Sequence, residues 1–103
     1  METITNKELL ELAAKAAGIT WPTKWPNPSE GDPNWNPLTN DGDALRLLVK
    51  AKITIDMDYL EASWIDTNGE VQMLTEYGEK DPYAATRRAI VRAAAEIGRS
   101  LSA

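Results

Sequence analysis

Apolar residues along this chain repeat at two different intervals, and these intervals predict where its helices and strands lie. Near the amino end, Leu9, Leu12, Ala13 and Ala16 fall on one face of a helix. Thr5 and Glu8 have the spacing of a capping box, in which each side chain satisfies a backbone donor of the other residue. Gly18 is suited to a left-handed carboxyl-terminal cap. The pattern predicts a first helix over residues 6–17.

The segment WNPLTNDGDALRLLV, residues 35–49, combines helix-capping residues with an apolar stripe. The candidate caps, which also place negative charge at the positive end of a helix dipole, are Thr39, Asn40, Asp41 and Asp43. The stripe behind them consists of Ala44, Leu47, Leu48 and Ala51. An acidic metal site at Asp41 and Asp43 is the alternative, but it lacks further ligands at a recognised spacing. We therefore predict a helix entrance and no metal site.

From Lys52 onward the apolar interval changes to two, which is typical of a half-buried strand. One side of this strand carries Ile53, Ile55 and Met57. The other side carries Thr54, Asp56 and Asp58. The carboxylates at 56 and 58 resemble a metal-binding pair. However, alternate residues of a strand share a solvent face in any case, so we interpret them as solvated edge charges.

Two further strands, over residues 59–66 and 70–76, are joined by Asn68 and Gly69. An Asn-Gly pair favours a two-residue type I′ turn, because both central residues of that turn need positive φ. The register set by such a turn pairs Trp64 with Met73 in the core and Glu61 with Glu76, and places Ile65 and Leu74 together on the second face. If no helix covers that face, it is a candidate dimer surface.

The last helix is predicted over about residues 82–100, with Asp81 as its amino-terminal cap and Pro82 at its first position. Its apolar side contains Tyr83, Ile90, Ala94, Ile97 and Leu101. The opposite side carries an arginine stripe of Arg88, Arg92 and Arg99. This stripe is either a binding surface or a solvated face. Arg87 lies beside the apolar side, where we expect it to pair with a carboxylate of the sheet.

These elements predict one α+β domain over residues 1–103, ordered α–loop–α–β–β–β–α. A small three-stranded antiparallel sheet packs with the helices as a layered sandwich. Residues 19–39 are predicted to be an ordered loop rich in tryptophan and proline. Its indole rings, Trp21, Trp25 and Trp35, should pack on the core or on a partner, because large apolar surfaces are costly to leave in water. We expect a structural role for Trp35 more than for the other two.

The residue inventory narrows the possible chemistry. The chain contains no cysteine and no histidine, which excludes disulfides, thiolate nucleophiles, imidazole catalysis and zinc sites that use these residues. A carboxylate pair with a tyrosine, namely Glu61, Glu76 and Tyr77, is the best enzymatic alternative. Nothing in the sequence shows a pocket that would raise one carboxyl pKa. We therefore expect no enzyme activity, no catalytic residues, no metal and no cofactor.

The formal charge of −5 argues against direct nucleic-acid binding, which depends on cationic contacts. Charge is also segregated, with a net of −7 over residues 53–81 and +3 over residues 82–103. These opposite charges either attract one another, within the fold or between subunits, or bind a partner. The sequence shows neither a signal-peptide pattern nor an apolar stretch long enough to span a bilayer. We expect a cytoplasmic protein that does not bind membranes.

Two blocks of the sequence resemble a known group of proteins. Residues 35–50, WNPLTNDGDALRLLVK, and residues 81–98, DPYAATRRAIVRAAAEIG, resemble the characteristic blocks of the phage ABA-sandwich-like group, small proteins of tailed phages and prophages. The resemblance implies a layered α+β fold and a viral accessory role in a bacterial host cell. It supplies no catalytic residues. The tryptophan-proline segment at 21–34 is longer than expected for the group.

The leading functional hypothesis is a non-enzymatic phage protein that inhibits or sequesters a component of bacterial antiviral defence. One mechanism uses an acidic surface to occupy a nucleic-acid channel of a host complex. The other uses a homo-oligomer to enclose a nucleotide signal between arginines and indole rings. The alternative class is an assembly protein that only self-associates. The candidate binding residues are Trp21, Trp25, Trp35, Arg88, Arg92, Arg99, Asp56, Asp58 and Glu61.

Overall fold

A computed structural model of the chain describes residues 5–19, 35–77 and 81–102. Its elements are α1 (Asn6–Ala17), α2 (Asp41–Ala51), β1 (Thr54–Asp56), β2 (Glu61–Ile65), β3 (Val71–Thr75) and α3 (Pro82–Ser102). Helices and a three-stranded antiparallel sheet pack together in the predicted order, which confirms the α+β prediction. Most of the predicted tryptophan-proline loop, including Trp21 and Trp25, lies outside the described residues.

The predicted helix caps are confirmed at both ends of α1 and at the start of α3. Glu8 donates its N–H to Thr5 Oγ1 at 3.1 Å, and its own carboxylate accepts the Thr5 N–H at 3.2 Å. The hydrogen bonds that the Thr5 N–H and hydroxyl donate to this carboxylate hold the pKa of Glu8 below its usual value. Gly18 ends the helix with φ of 69°. At α3, Asp81 Oδ1 accepts the Tyr83 N–H at 2.9 Å, because Pro82 has no N–H to offer.

Helix α3 is the centre of the fold and touches α1, α2, β2 and β3. Its middle turns are buried on several sides because they are built largely from alanine, whose small side chain lets neighbours approach. The predicted apolar side was wrong at its ends, since Tyr83 and Leu101 are exposed beyond the packed part of the helix. Within the described ranges, no helix is apolar over enough length to cross a bilayer.

Helices α1 and α3 approach each other closely at Gly98. A Cβ atom built on this buried residue would overlap the carbonyl oxygen of Leu12. The buried residues of α1 also include small side chains, namely Ala13, Ala14 and Ala17. Gly98 therefore fixes the distance between the two helices, because only a residue without a side chain fits at this contact.

The sheet has the order β1-β2-β3, so β1 and β3 are its two edges. The predicted register of the second hairpin was wrong by one residue: Trp64 faces Gln72, Ser63 faces Met73 and Glu61 faces Thr75. The Trp64–Met73 and Glu61–Glu76 pairs are therefore absent from this ladder. Leu74 shares the helix-facing side of the sheet with Ala62 and Trp64, whereas Ile65 lies on the outer side.

The register differs because the hairpin loop is longer than a two-residue turn. Asp66 accepts the Gly69 N–H with its backbone carbonyl at 3.0 Å and donates its own N–H to the Glu70 carbonyl at 2.9 Å. Only Gly69, with φ of 80°, has positive φ, whereas a type I′ turn would also require it of Asn68. The Asp66 carboxylate stabilises this wider loop by accepting the N–H groups of Asn68 and Glu70, each at 2.9 Å.

Lowering the pH should weaken this hairpin by protonating the Asp66 carboxylate. Hydrogen bonds from the Glu70 N–H and from the Gln72 side-chain amide hold the pKa of Asp66 below its usual value. The resulting stability is present above the unfolded-state pKa of about 3.9 and is lost as pH falls through the folded-state pKa. We expect Asp66→Asn to lower the melting temperature at pH 5, and the deficit relative to wild type to shrink toward pH 2.

The matched control for this titration is Asp58→Asn, which removes the same charge from an exposed position. Melting curves of the three proteins between pH 5 and pH 2 give the comparison. A deficit for Asp66→Asn that stays constant over this range would show that the ionised carboxylate does not stabilise the loop.

Candidate functional site

The segment that opens α2 is held by hydrogen bonds around a buried carboxylate. Asp43 accepts the Asn36 N–H at 2.9 Å and a guanidinium N–H of Arg46 at 2.8 Å. The Asn40 side chain caps the helix by accepting the Asp43 N–H at 2.9 Å. Trp35 is buried in the core beside this turn, as expected for a structural residue. No group of three or more potential metal ligands occurs within the described ranges.

An open cavity of about 650 Å³ lies between α2, β1 and the first turns of α3. We call it the apolar groove. Its apolar lining includes Leu45, Leu48, Ile55, Met57, Tyr83 and Ile90.

Several large side chains of the apolar groove are exposed to solvent. The exposed fractions of Leu45, Met57 and Tyr83 are 61 %, 56 % and 71 %. Val49 on α2 is exposed as well, one turn beyond Leu45. Single exposed apolar residues are ordinary, but several that border one concave surface are typical of a binding site.

The polar residues that line the apolar groove are Asp41, Thr86 and Arg87. Arg87 is the one basic residue among the described residues that line it, and its guanidinium is held by Asp41 Oδ1 at 2.6 Å and by the Leu38 carbonyl at 2.9 Å. The prediction that Arg87 pairs with a sheet carboxylate is therefore wrong, because the partner stands on α2. Asp56 and Asp58 flank Met57 in sequence and are exposed. The groove thus combines an apolar floor with one polar edge, where Arg87 and Asp41 form an ion pair.

A second, smaller cavity of about 370 Å³ lies between the sheet and the carboxyl-terminal half of α3. We call it the indole-arginine groove. The sheet contributes Trp64, Gln72 and Leu74 from its helix-facing side, and Met73 also borders the cavity. Two members of the predicted arginine stripe, Arg92 and Arg99, line the opposite wall.

Both arginines of the indole-arginine groove have carboxylate partners. Arg92 Nη1 lies 2.8 Å from Glu76 Oε1, and Glu76 is buried. Arg99 Nη2 lies 3.6 Å from Glu96 Oε2, one turn away on the same helix. The Arg92–Glu76 pair joins the acidic hairpin to the basic helix inside the fold, which is one of the two arrangements that the segregated charges allowed.

The structure distributes the other predicted site residues over the surface. Arg88 does not line the indole-arginine groove and contacts Asn6 Oδ1 on α1 at 3.4 Å. Asp56 and Asp58 are exposed near the apolar groove, and Glu61 is half-buried. The carboxylate pair proposed for catalysis is not assembled, since Glu76 is bound to Arg92 and Tyr77 is exposed.

Sequence reasoning missed Leu45, Tyr83 and Trp64 as possible binding residues. Leu45 and Val49 carry a usable signal, because both are apolar and both lie off the buried stripe of α2. Tyr83 was assigned to the packed side of α3, and Trp64 to a core pair that does not form. The position of these residues depends on how the helices pack on the sheet and on the hairpin register, which the residue pattern alone leaves undetermined.

Comparison of the chain with models of known protein families, with characterised proteins and with solved structures finds no match. The geometry of the described residues and the sequence blocks at 35–50 and 81–98 are therefore the basis for a functional proposal. Among the described residues, the apolar groove and the indole-arginine groove are concave surfaces of different chemistry, the first largely apolar and the second lined by an indole ring and two arginines.

Proposed function

We propose that this chain is a non-enzymatic phage or prophage accessory protein that binds a component of bacterial antiviral defence in the host cytoplasm and inhibits it. The sequence blocks at 35–50 and 81–98 support the phage origin, because they resemble those of small phage proteins. The apolar groove, with its exposed large side chains, is the observation that carries the binding role.

The apolar groove best fits an amphipathic helix with basic flanks, presented by a host protein. A helix lays apolar side chains spaced three and four residues apart into such a groove, and Leu45, Met57 and Tyr83 offer the complementary surface. The formal charge of −5 favours basic residues beside that apolar face, because opposite charges speed association and favour the correct partner.

Binding is a better account of this chain than turnover. The sequence has no imidazole or thiol, and the best enzymatic alternative that it offers is a carboxylate pair with a tyrosine. The half-buried Glu61 faces Thr75 across the ladder, and the buried Glu76 is engaged by Arg92. Neither arrangement gives the pair of free carboxyl groups, held on two sides of a substrate, that carboxylate catalysis uses.

Fluorescence anisotropy with a synthetic peptide tests the groove directly. The probe is a labelled helix of about five turns with leucine at helical spacing and lysine elsewhere. We expect Leu45→Glu to weaken its binding by at least about tenfold, because a carboxylate would be buried against leucine. The matched control, Lys50→Gln, makes the same change in net charge at an exposed residue of α2 that does not line the groove, and it should bind like wild type.

Two further peptides separate groove recognition from simple charge attraction. One has the same composition in a scrambled order without helical spacing, and the other carries glutamate in place of lysine. Both should bind more weakly than the amphipathic basic peptide. Equal binding of the scrambled peptide, or equal binding by Leu45→Glu, would remove the apolar groove from the proposal.

Phage plating tests the inhibitory role. The protein is expressed in bacterial strains that each carry one antiviral defence system, and we expect plaque formation to recover in at least one strain. Leu45→Glu should lose this recovery and Lys50→Gln should keep it. If plating recovers in no strain, the protein does not inhibit those systems, and self-association without inhibition becomes the better assignment.

A nucleotide signal is the second candidate ligand, and the indole-arginine groove is the observation that favours it. Trp64 there offers a flat surface for a base, and Arg92 and Arg99 offer guanidinium groups for phosphates. Isothermal titration with cyclic dinucleotides and other nucleotide signals measures this binding. Heat that Arg99→Glu abolishes would support this candidate, and no heat with any nucleotide would leave the apolar groove as the site.

A further inference from the structure

We propose that two copies of this chain pair through the free edge of β3, in an antiparallel arrangement centred on Gln72. The pairing joins two three-stranded sheets into one sheet of six strands. The occupant of this edge is thus a second copy of the chain, and the contact is independent of the apolar groove on the other side of α3.

The hydrogen-bond alternation of the β2–β3 ladder shows which backbone groups face the edge. Glu76 donates its N–H to the Leu60 carbonyl at 3.0 Å, and Asp66 donates to the Glu70 carbonyl at 2.9 Å. In an antiparallel ladder, the backbone N–H and C=O groups of every second residue bond to the neighbouring strand. The backbone groups of the residues between them point to the other side. The N–H and C=O groups of Val71, Met73 and Thr75 therefore point toward the free edge.

One of these edge groups already has a partner within the chain. Arg92 Nη1 reaches the Thr75 carbonyl at 3.5 Å, which agrees with the alternation and shows that the carboxyl-terminal end of the edge is partly covered. For Val71 and Met73, no described residue covers the outward backbone groups by a hydrogen bond that the structure records. The part of the edge open to another strand is therefore its amino-terminal half.

The residues of β3 lack the features that normally block an edge. Edge strands are protected by shortness, charge, proline or bulges, and β3 is a five-residue strand, VQMLT, without charge or proline. The other edge, β1, has three residues and ends at Asp56, with Asp58 close behind. This contrast singles out β3 as the edge that accepts a strand.

The outer face of the sheet adds apolar surface to the same place. Ile65 and Val71 are paired across the ladder, Met73 stands on the same side, and all three are about three-fifths exposed. A second copy at the edge extends this patch across a two-fold axis, where Val71 of one copy lies beside the partner's Met73. Apolar side chains at a symmetric contact are the usual composition of a homodimer interface.

Only one symmetric register pairs the outward backbone groups of both Val71 and Met73 with those of the second copy and keeps the hydrogen bond from Arg92 to the Thr75 carbonyl. It pairs Val71 with the partner's Met73 in both directions, so that four backbone hydrogen bonds form. Glu70 then faces the partner's Leu74, and no two carboxylates oppose each other. Gln72 faces the partner's Gln72 in a non-hydrogen-bonded pair, where Cα atoms lie about 4.5 Å apart.

Disulfide trapping tests this register, since the chain contains no native cysteine. A Cα separation of about 4.5 Å is within disulfide range, so Gln72→Cys should form a covalent dimer under mild oxidation. The control, Asn68→Cys, is exposed at the tip of the same hairpin but does not face itself in the pair. We expect Gln72→Cys to cross-link at least about tenfold faster, because pairing raises the effective thiol concentration.

Sedimentation equilibrium of cysteine-free variants gives the second readout. Wild type should show twice the 11.4 kDa mass of the chain, and Val71→Lys should shift it to the monomer. Ile65→Lys changes the same outer face on the central strand and should remain dimeric. Dissociation by Ile65→Lys but not by Val71→Lys would indicate stacking of faces and overturn edge pairing. A wild-type mass of one chain at every concentration would also overturn it.

Discussion

Gly98→Ala should lower the free energy of unfolding by about 3 kcal/mol, the upper part of the range for overpacked core positions. The added methyl group would overlap the Leu12 carbonyl oxygen, and a backbone atom cannot move aside as a flexible side chain can. Helices α1 and α3 would have to separate, so contacts along both would be lost. For a chain of this size the melting temperature should fall by about 15 °C.

The same substitution at Gly42 is the matched control. In an α-helix, alanine is favoured over glycine by about 0.5 to 1 kcal/mol. A Cβ at Gly42 would meet the guanidinium end of Arg46 and the Asn40 side-chain oxygen, each at 3.2 Å, and both contacts are to side-chain atoms that can shift by a few tenths of an ångström. We therefore expect Gly42→Ala to change stability by less than about 1 kcal/mol. Urea unfolding of both variants gives the comparison, and equal stability of the two would contradict the role of Gly98 as a spacer.

The role of Gly98 as a spacer between two helices could not be predicted from the sequence. Its position inside an alanine-rich helix was visible, but the carbonyl that passes beside it belongs to α1, more than eighty residues earlier in the chain. Helix boundaries, in contrast, were predictable because they depend on local contacts. The capping box at Thr5 and Glu8 and the Asp81 cap satisfy nearby backbone donors and need no tertiary information.

The candidate sites were less predictable because they depend on register and on element length. A turn wider by one residue moved Met73 to the outer face of the sheet and left Trp64 opposite Gln72, since a one-residue slip exchanges the two faces of a strand. Arg92 and Arg99 were predicted to share a side of α3 and do line one groove. Their carboxylate partners depend on how α3 packs on the sheet, which helical spacing does not specify.

Arg92→Met should lower the free energy of unfolding by about 2 to 3 kcal/mol. Methionine preserves much of the apolar stem but removes the guanidinium that lies 2.8 Å from Glu76. The Glu76 side chain is only 6 % exposed, so its carboxylate would be left buried without a cation. Removing one partner of a fully buried pair costs about 3 to 5 kcal/mol. We expect a smaller loss for Arg92→Met because Arg92 is partly exposed.

The second substitution Glu76→Leu should partly rescue Arg92→Met, because replacing both members of a buried pair by apolar residues is often neutral. The double variant should therefore be more stable than Arg92→Met alone, although it carries one more change. Glu76→Leu by itself should cost less than Arg92→Met, since the 37 % exposed Arg92 side chain can turn to water. Urea unfolding of the four proteins completes the double-mutant cycle. Additive losses would show that Arg92 and Glu76 act as two separate surface charges, and the bridge between hairpin and helix would then contribute little to the fold.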